Sequence, residues 1–208
     1  MKPDSRITAT KRYYEQYGEP WLKLKTNSFY NEKPFRRLVA LLPPKGTVLD
    51  IGCAAGVHVP LFLGIGRHLS YEGIDISRTF VKVAASRYPQ LPFSVADIAD
   101  DSTLPLPSKK YVGFFAASTL QHVPLSLWDT MFLNIERRMR KGAYGFISLP
   151  TEHTTTEKTA EDTRHFTILS PKEQLAYFKK RGYTVHAKGS HDGFAKAGIW
   201  RWYIVQLP

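Results

Sequence analysis

A single cysteine, Cys53, stands in 208 residues, which excludes an internal disulfide and any cysteine-based zinc site. No stretch approaches the ~20 apolar residues that a membrane-crossing helix needs. The start, Met1-Lys2-Pro3-Asp4-Ser5-Arg6, has charge but no apolar run behind it, unlike a secretory leader. A reducing, cytoplasmic setting with no membrane contact is therefore expected. Internal repeats and low-complexity tracts are missing too. The chain has no G-x-x-x-x-G-K-[ST] and no G-x-S-x-G, so a P-loop and a hydrolase elbow are excluded. Asp97, Asp100 and Asp101 form an acidic cluster, but a solvated loop accounts for it, and no metal site is expected.

What is present is an ordinary globular composition, 43% apolar and 23% charged, long enough to bury one sizeable core. The charge balance is less ordinary. Twenty-nine basic residues face 18 acidic ones, a net +11, and residues 1–45 hold a surplus of six of those positive charges. Such a surface attracts anions, whether nucleic acid or an acidic small molecule, although it also serves solubility alone.

Residues 1–45 read as a helical lid or cap segment and residues 46–208 as the main domain. Ser5 to Tyr17 patterns as a helix ended near Gly18-Glu19-Pro20, and Lys33 to Leu42 as a second, stopped by Pro43-Pro44-Lys45-Gly46. From Thr47 strands alternate with helices. Strands are expected over 47–51, 69–74, 92–96, 111–117 and 143–149. Helices are expected over 57–66 and 78–87 and on the run Leu127, Met131, Phe132, Ile135, Met139. Ser170-Pro171-Lys172-Glu173 combines an N-cap, a first-turn proline and a glutamate three residues on, and Gly182 supplies the stop. Strands 183–188 and 199–206 follow, joined by a loop too short for a crossover helix, so they pair antiparallel. The fold class is α/β: a doubly wound, mostly parallel seven-stranded sheet with a C-terminal antiparallel hairpin and an N-terminal helical segment.

The chemical signal is Val48-Leu49-Asp50-Ile51-Gly52-Cys53-Ala54-Ala55-Gly56. A strand feeds a glycine-bounded turn that opens a helix. Its glycines let a ligand approach the backbone, and the helix start favours an anionic group. Asp75, in Gly73-Ile74-Asp75-Ile76-Ser77, lies 23 positions past Gly52, where an acid can take the hydroxyls of a ribose. It also reads as a helix cap. A dinucleotide site wants G-x-G-x-x-G, whereas Ala54 replaces the middle glycine here and Val59 stands three after Gly56, which disfavours NAD and FAD.

These motifs together resemble the class I S-adenosylmethionine-dependent methyltransferases of the small single-domain type, over roughly Lys33 to the C-terminus. The resemblance implies S-adenosyl-L-methionine as cofactor, with Asp50, Gly52, Ala54 and Gly56 along its methionine part. It likewise implies that Asp75 holds the ribose, that Ile76 packs on the adenine and that Asp97 faces the adenine amino group. Ala96-Asp97-Ile98 is similar to the third-strand motif, placing Ile98 at the cofactor too. Ser118-Thr119-Leu120-Gln121-His122-Val123-Pro124 resembles the segment after the fourth strand, so Ser118 borders the cofactor and Gln121 the acceptor. An N-terminal helix lies over the cofactor in similar enzymes, which makes Tyr14, Tyr17 and Trp21 candidate lid aromatics, although plain packing explains them as well.

Of seven histidines, most read as packing or loop residues: His58 and His68 flank the first helix of the main domain, and His191 sits in a loop. His122 differs, because it follows the fourth strand at the carboxyl edge where α/β sites form, and is the candidate general base for the acceptor. Asp162-Thr163-Arg164-His165-Phe166 is the second group: Arg164 to grip an anionic acceptor, His165 as an alternative base. The resulting expectation is methyl transfer to an O or N atom of a small polar or anionic acceptor by a monomer or homodimer. The alternatives are a tRNA methyltransferase, which the basic surplus favours, and a non-catalytic binding protein on the same fold.

Overall fold

The computed structural model describes residues 4–25, 32–105, 110–151, 162–192 and 198–208, with the backbone path alone for 17–25 and 192. Two helices, α1 (Ser5–Lys25) and α2 (Glu32–Leu41), precede the alternating part. That part runs β1 (Thr47–Ile51), α3 (Val59–Gly64), β2 (Ser70–Asp75), α4 (Arg78–Arg87), β3 (Phe93–Val95), β4 (Tyr111–Ala117), α5 (Trp128–Arg138) and β5 (Met139–Pro150). It ends with α6 (Pro171–Lys180), β6 (Thr184–Asp192) and β7 (Ile199–Gln206).

The seven strands form one sheet in the order β3-β2-β1-β4-β5-β7-β6. The first five are parallel, β7 is antiparallel to β5, and β6 is antiparallel to β7 at the edge. The expected doubly wound sheet and terminal hairpin are both present. Because parallel strands are covered on both faces, β4 (Tyr-Val-Gly-Phe-Phe-Ala-Ala) is buried at every position. Successive side chains still point to opposite faces. Leu49, Phe114 and Ile147 pack with Trp128, Met131 and Phe132 of α5 and Phe178 of α6. Val48, Phe115 and Phe146 pack with Phe35 and Leu38 of α2 and Phe62 of α3. The helices on each face thus follow from the apolar stripes read in the sequence.

Three boundaries differ from expectation, each for a local reason. Helix α1 continues through Gly18-Glu19-Pro20 to Lys25; a proline removes one backbone donor, and the Trp-Leu-Lys-Leu-Lys run beyond it is able to carry the helix on. Helix α3 begins at Val59 rather than 57, because Ala54 and Gly56 hold positive φ and Pro60 suits a first turn. Strand β5 starts at Met139, directly after α5, and reaches Ala143 through a register shift and Gly142 at φ +70°. Helix α6 carries the full capping box, with Ser170 Oγ accepting from the Glu173 amide and the Glu173 carboxylate accepting from the Ser170 amide.

Strand order reverses between β1 and β4, which opens a crevice at the carboxyl ends of those two strands. Helix α1 lies across that edge. Glu15 ties it down: its carboxylate accepts from the amides of Arg78 (2.7 Å) and Thr79 (3.0 Å) at the start of α4 and from the Thr79 hydroxyl (2.6 Å). Thr10 Oγ1 accepts from the His165 amide (2.9 Å) on the opposite side.

Candidate functional site

The crevice is a cavity lined on one side by Gly52, Ala54, Ile74, Asp75, Ile76, Ala96, Asp97 and Ile98. Ser118, Thr119 and His122 close it from β4, and Ile7, Thr10 and Tyr14 cover it from α1. Nine of the residues picked out from sequence therefore meet around one space: Gly52, Ala54, Asp75, Ile76, Asp97, Ile98, Ser118, His122 and Tyr14.

The loop after β1 is shaped for close backbone approach. The amides of Gly52 and Cys53 both donate to the Ile74 carbonyl, at 2.8 and 3.0 Å. Gly52 has φ +72°, and a Cβ there would collide with the Thr119 side chain. Ala54 sits at φ +47° in the left-handed region, and its amide donates to Asp75 Oδ2 at 2.9 Å. That conformation costs an alanine about 1–2 kcal/mol. Ala54→Gly is therefore expected to raise unfolding free energy by roughly 1 kcal/mol, read from the urea midpoint at constant slope; a lower midpoint would show that the alanine is unstrained.

Asp75 is only 8% exposed. Its other oxygen, Oδ1, accepts from the Ser77 amide at 2.8 Å. Asp75 thus ties the loop to the start of α4 while lining the cavity, but the N-cap of that helix is Ser77, whose Oγ accepts from the Phe80 amide at 3.2 Å. Burial, which outweighs its backbone hydrogen bonds, pushes its carboxyl up to about 6. Asp50 lies just behind, fully buried, and burial pushes it up to about 7. Its Oδ2 accepts from the Tyr71 hydroxyl (2.9 Å), while Oδ1 has no partner among the described residues. Asp97 is raised by burial as well, and its Oδ1 accepts from the Ala99 amide at 2.9 Å. Asp50 and Gly56 stand outside the lining.

The group around His122 is more connected than its sequence position suggested. Its Nδ1 faces the His165 carbonyl at 2.8 Å. A carbonyl only accepts, so Nδ1 carries the hydrogen. Nε2 is then the acceptor, and the Tyr14 hydroxyl donates to it at 2.9 Å. Burial, with Arg164 nearby, takes the imidazole down to about 3, so the ring is neutral. Burial also raises the Tyr14 hydroxyl above its usual range, against the pull of Arg164.

Three candidates for the acceptor side fall outside the lining. Arg164 is outside the lining; its guanidinium donates two hydrogen bonds to the Asp162 carboxylate, at 2.9 and 2.7 Å, and a longer one to the Tyr14 hydroxyl, at 3.4 Å, and lies over the Tyr13 and Phe166 rings, at 4.6 and 5.1 Å. The His165 ring turns to Thr167 Oγ1 (3.0 Å), and its carbonyl, not its imidazole, serves the site. Gln121 is 1% exposed and braces the turn by donating to the Ser118 carbonyl at 2.7 Å. The side chains of Trp21 and Tyr17 lie outside the described residues.

Several lining residues were missed, His191, Trp200 and His58 among them. His191, read as a loop histidine, is on β6, paired in register with Trp200 of β7, and both line the cavity. Their rings are parallel within 8°. The only sequence signal for them is that a hairpin returning to the sheet edge brings the end beside its connecting loop to the carboxyl side. His58 also lines the cavity, with its ring edge-on to Phe115 and its Nδ1 3.9 Å from Asp50 Oδ2. No helix among the described residues is long and apolar enough to cross a membrane, and no cluster of metal-ligating residues occurs among them.

Residues 48–142 match a family model described as a methyltransferase domain. The trans-aconitate 2-methyltransferase of Sinorhizobium medicae (strain WSM419) is 27% identical over 152 residues, covering 69% of this chain and 57% of that protein. The chain thus spans little more than half the length of that relative. Among solved structures, magnesium protoporphyrin IX methyltransferase from Synechocystis PCC 6803 with bound S-adenosylhomocysteine superposes with a TM-score of 0.74 at 16% identity, over 98% of this chain and 100% of that one. The 1,6-didemethyltoxoflavin-N1-methyltransferase of Burkholderia thailandensis, holding 1,6-didemethyltoxoflavin and S-adenosylhomocysteine, gives 0.76 at 15% identity, over 100% and 91%. At these identities the structural likeness speaks for the fold.

Proposed function

We propose that this chain, whose residues 48–142 match a methyltransferase-domain model, is a class I S-adenosylmethionine-dependent enzyme that methylates an O or N atom of a small polar acceptor beneath α1. The observation that carries the reading is the pairing of Asp75 with the Gly52–Ala54 loop at the strand-order switch point. Asp75 faces the cavity with hydrogen-bonding capacity left on both oxygens, Gly52 has no room for a side chain, and the buried Asp50 Oδ1 awaits a donor. These residues fit an adenosyl amino acid: Asp75 for the ribose, the loop backbone and Asp50 for the methionine portion, Ile76, Asp97 and Ile98 for the adenine. The cofactor, when bound, supplies an electrophilic methyl group, and the hard chemistry is its own.

The protein's part is positioning. Tyr14, held by His122, offers its hydroxyl oxygen to the acceptor at the inner face of α1. His122 as placed here orients Tyr14; a neutral imidazole with so low a proton affinity is a poor base. An acceptor whose nucleophilic atom already bears a free lone pair suits such a site. The small-molecule substrates in the names of the relatives support a small acceptor over RNA, as does a cavity covered by a helix. Residues 1–45 act as the lid and 46–208 as the catalytic domain in this reading.

Calorimetry tests it. S-adenosylmethionine and S-adenosylhomocysteine are expected to bind and NAD is not; tight NAD binding without either sulfur ligand would overturn the reading. The pH dependence adds a check on Asp75. Ribose hydroxyls donate to the ionised carboxylate, whereas burial favours the protonated form near pH 6. Binding therefore releases a proton, and the Kd for S-adenosylhomocysteine is expected to fall as pH rises from 5 to 7 and then level off. The unliganded fold has the opposite trend: Asp75 holds an extra proton between its unfolded value of about 4 and its folded value of about 6, so its contribution declines as pH rises through that window. A flat Kd from pH 5 to 8 would remove Asp75 from the ribose contact.

A further inference from the structure

The cavity's own charges narrow the acceptor further, an inference that rests on the cofactor reading above. Two carboxylates, Asp75 and Asp97, line it, and among the described residues no lysine or arginine does, despite a net charge of +11. Di- and tricarboxylate acceptors are gripped by guanidinium forks or ammonium groups, because a carboxylate leaving water needs charged donors to offset its lost hydration. Arg164, which reaches the back of the Tyr14 hydroxyl at 3.4 Å, is itself outside the lining and already paired through two hydrogen bonds with the Asp162 carboxylate. The lining instead includes several flat rings, Tyr14, His58, His122, His191 and Trp200, of which His191 and Trp200 come from the terminal hairpin, apart from the cofactor motifs in the sequence. His191 and Trp200 are cross-strand partners on the hairpin with parallel rings, and the Trp200 indole N–H is buried without a partner among the described residues.

We propose that the acceptor is an uncharged, flat heteroaromatic molecule that packs against Trp200 and His191, and that Trp200 is a specificity-determining residue. Offset or edge-on contact with the indole favours a planar ring over an extended polyacid. A ring heteroatom or carbonyl of the acceptor satisfies the indole donor, which is otherwise a buried loss. Such a ring carries its own nucleophilic lone pair, so it needs no strong base, in keeping with the neutral His122. The sequence expectation of a polar or anionic acceptor is thereby reduced to its polar half.

The test uses the full chain loaded with S-adenosylhomocysteine, titrated by ligand-observed NMR with quinoline and 4-hydroxyquinoline on one side and citrate and trans-aconitate on the other. The neutral rings are expected to bind at least tenfold more tightly than the polyacids. Trp200→Ala is expected to weaken the rings at least fivefold and leave the S-adenosylhomocysteine Kd unchanged. Should that variant fail to fold, Trp200→Leu against Trp200→Phe makes the same comparison, with the phenyl ring retaining the preference. Polyacids binding as well as the rings, rings that do not bind, or ring affinity indifferent to Trp200 would each overturn this inference alone. Absence of S-adenosylhomocysteine binding would overturn the cofactor reading and this inference with it.

Discussion

Tyr14→Phe is expected to lower methyl transfer by about 10²-fold, at the low end of what a positioned proton-transferring or hydrogen-bonding group contributes. The variant keeps the ring that packs 5.6 Å from Phe80 and edge-on to His122, so α1 should pack as before and the S-adenosylhomocysteine Kd should stay within a few-fold. What disappears is the hydroxyl bonded to His122 Nε2 at 2.9 Å. His122→Ala should produce a loss of similar size by freeing that hydroxyl to rotate. Because the two side chains act as one unit, the double variant should be little worse than either single change. The pH profile separates orientation from base catalysis. With its folded value lowered to about 3 by burial, His122 stays neutral across pH 5 to 8. The rate should therefore show no ascending limb near 6.5 that His122→Ala abolishes. Full turnover by Tyr14→Phe, or multiplicative losses in the double variant, would mean that the pair does not work together on the acceptor.

The side of the cavity proposed for the cofactor was legible in the sequence because local rules dictate it. Positive φ at Gly52, the strand-to-helix turn and the acid at the tip of β2 are all set within a few residues of one another, and a single sequence carries such information directly. The terminal hairpin was legible for a related reason: loop length between 183–188 and 199–206 leaves one pairing open. The acceptor half was read less completely because it is assembled from distant segments. Nothing near Arg164 in the sequence says that Asp162 takes both sides of its guanidinium, nor that the His165 carbonyl fixes the tautomer of His122. His191 looks like a loop residue beside Gly189, yet Gly189 lies under the Trp202 ring on a continuous strand. Histidine roles in particular depend on what each ring nitrogen faces, a property of tertiary contact.

Arg138→Met should cost about 3–5 kcal/mol of unfolding free energy, the usual penalty for breaking a buried ionic network by removing one partner. Arg138 ends α5 with 1% of its surface exposed. Its Nε donates to the Pro105 carbonyl at 2.7 Å, and Nη1 to Asp101 Oδ1 at 2.8 Å and the Asn134 carbonyl at 3.0 Å. Methionine keeps the unbranched apolar stem of the side chain but supplies no donor, so the carbonyls of Pro105, Asn134 and Asp101 lose a charged partner. Asp101 is half-exposed and returns to water, which places the loss near the lower end of the range. The segment so anchored runs from Asp97 to Pro105 and includes both Asp97 and Ile98 of the cavity; Asn134 Nδ2 holds it a second time through the Ile98 carbonyl at 3.0 Å. The variant should accordingly weaken S-adenosylhomocysteine binding as well as the fold, by several-fold under conditions where it remains native. Phe178→Leu in the same apolar cluster, which trims packing beneath α6 without touching that segment, provides the comparison: it should lose stability and keep its Kd. Urea unfolding and calorimetry on both variants separate the outcomes. A stability loss below 1 kcal/mol in Arg138→Met would show that the network is replaceable. A Kd no different from that of Phe178→Leu would show that the Asp97 segment holds its place without Arg138.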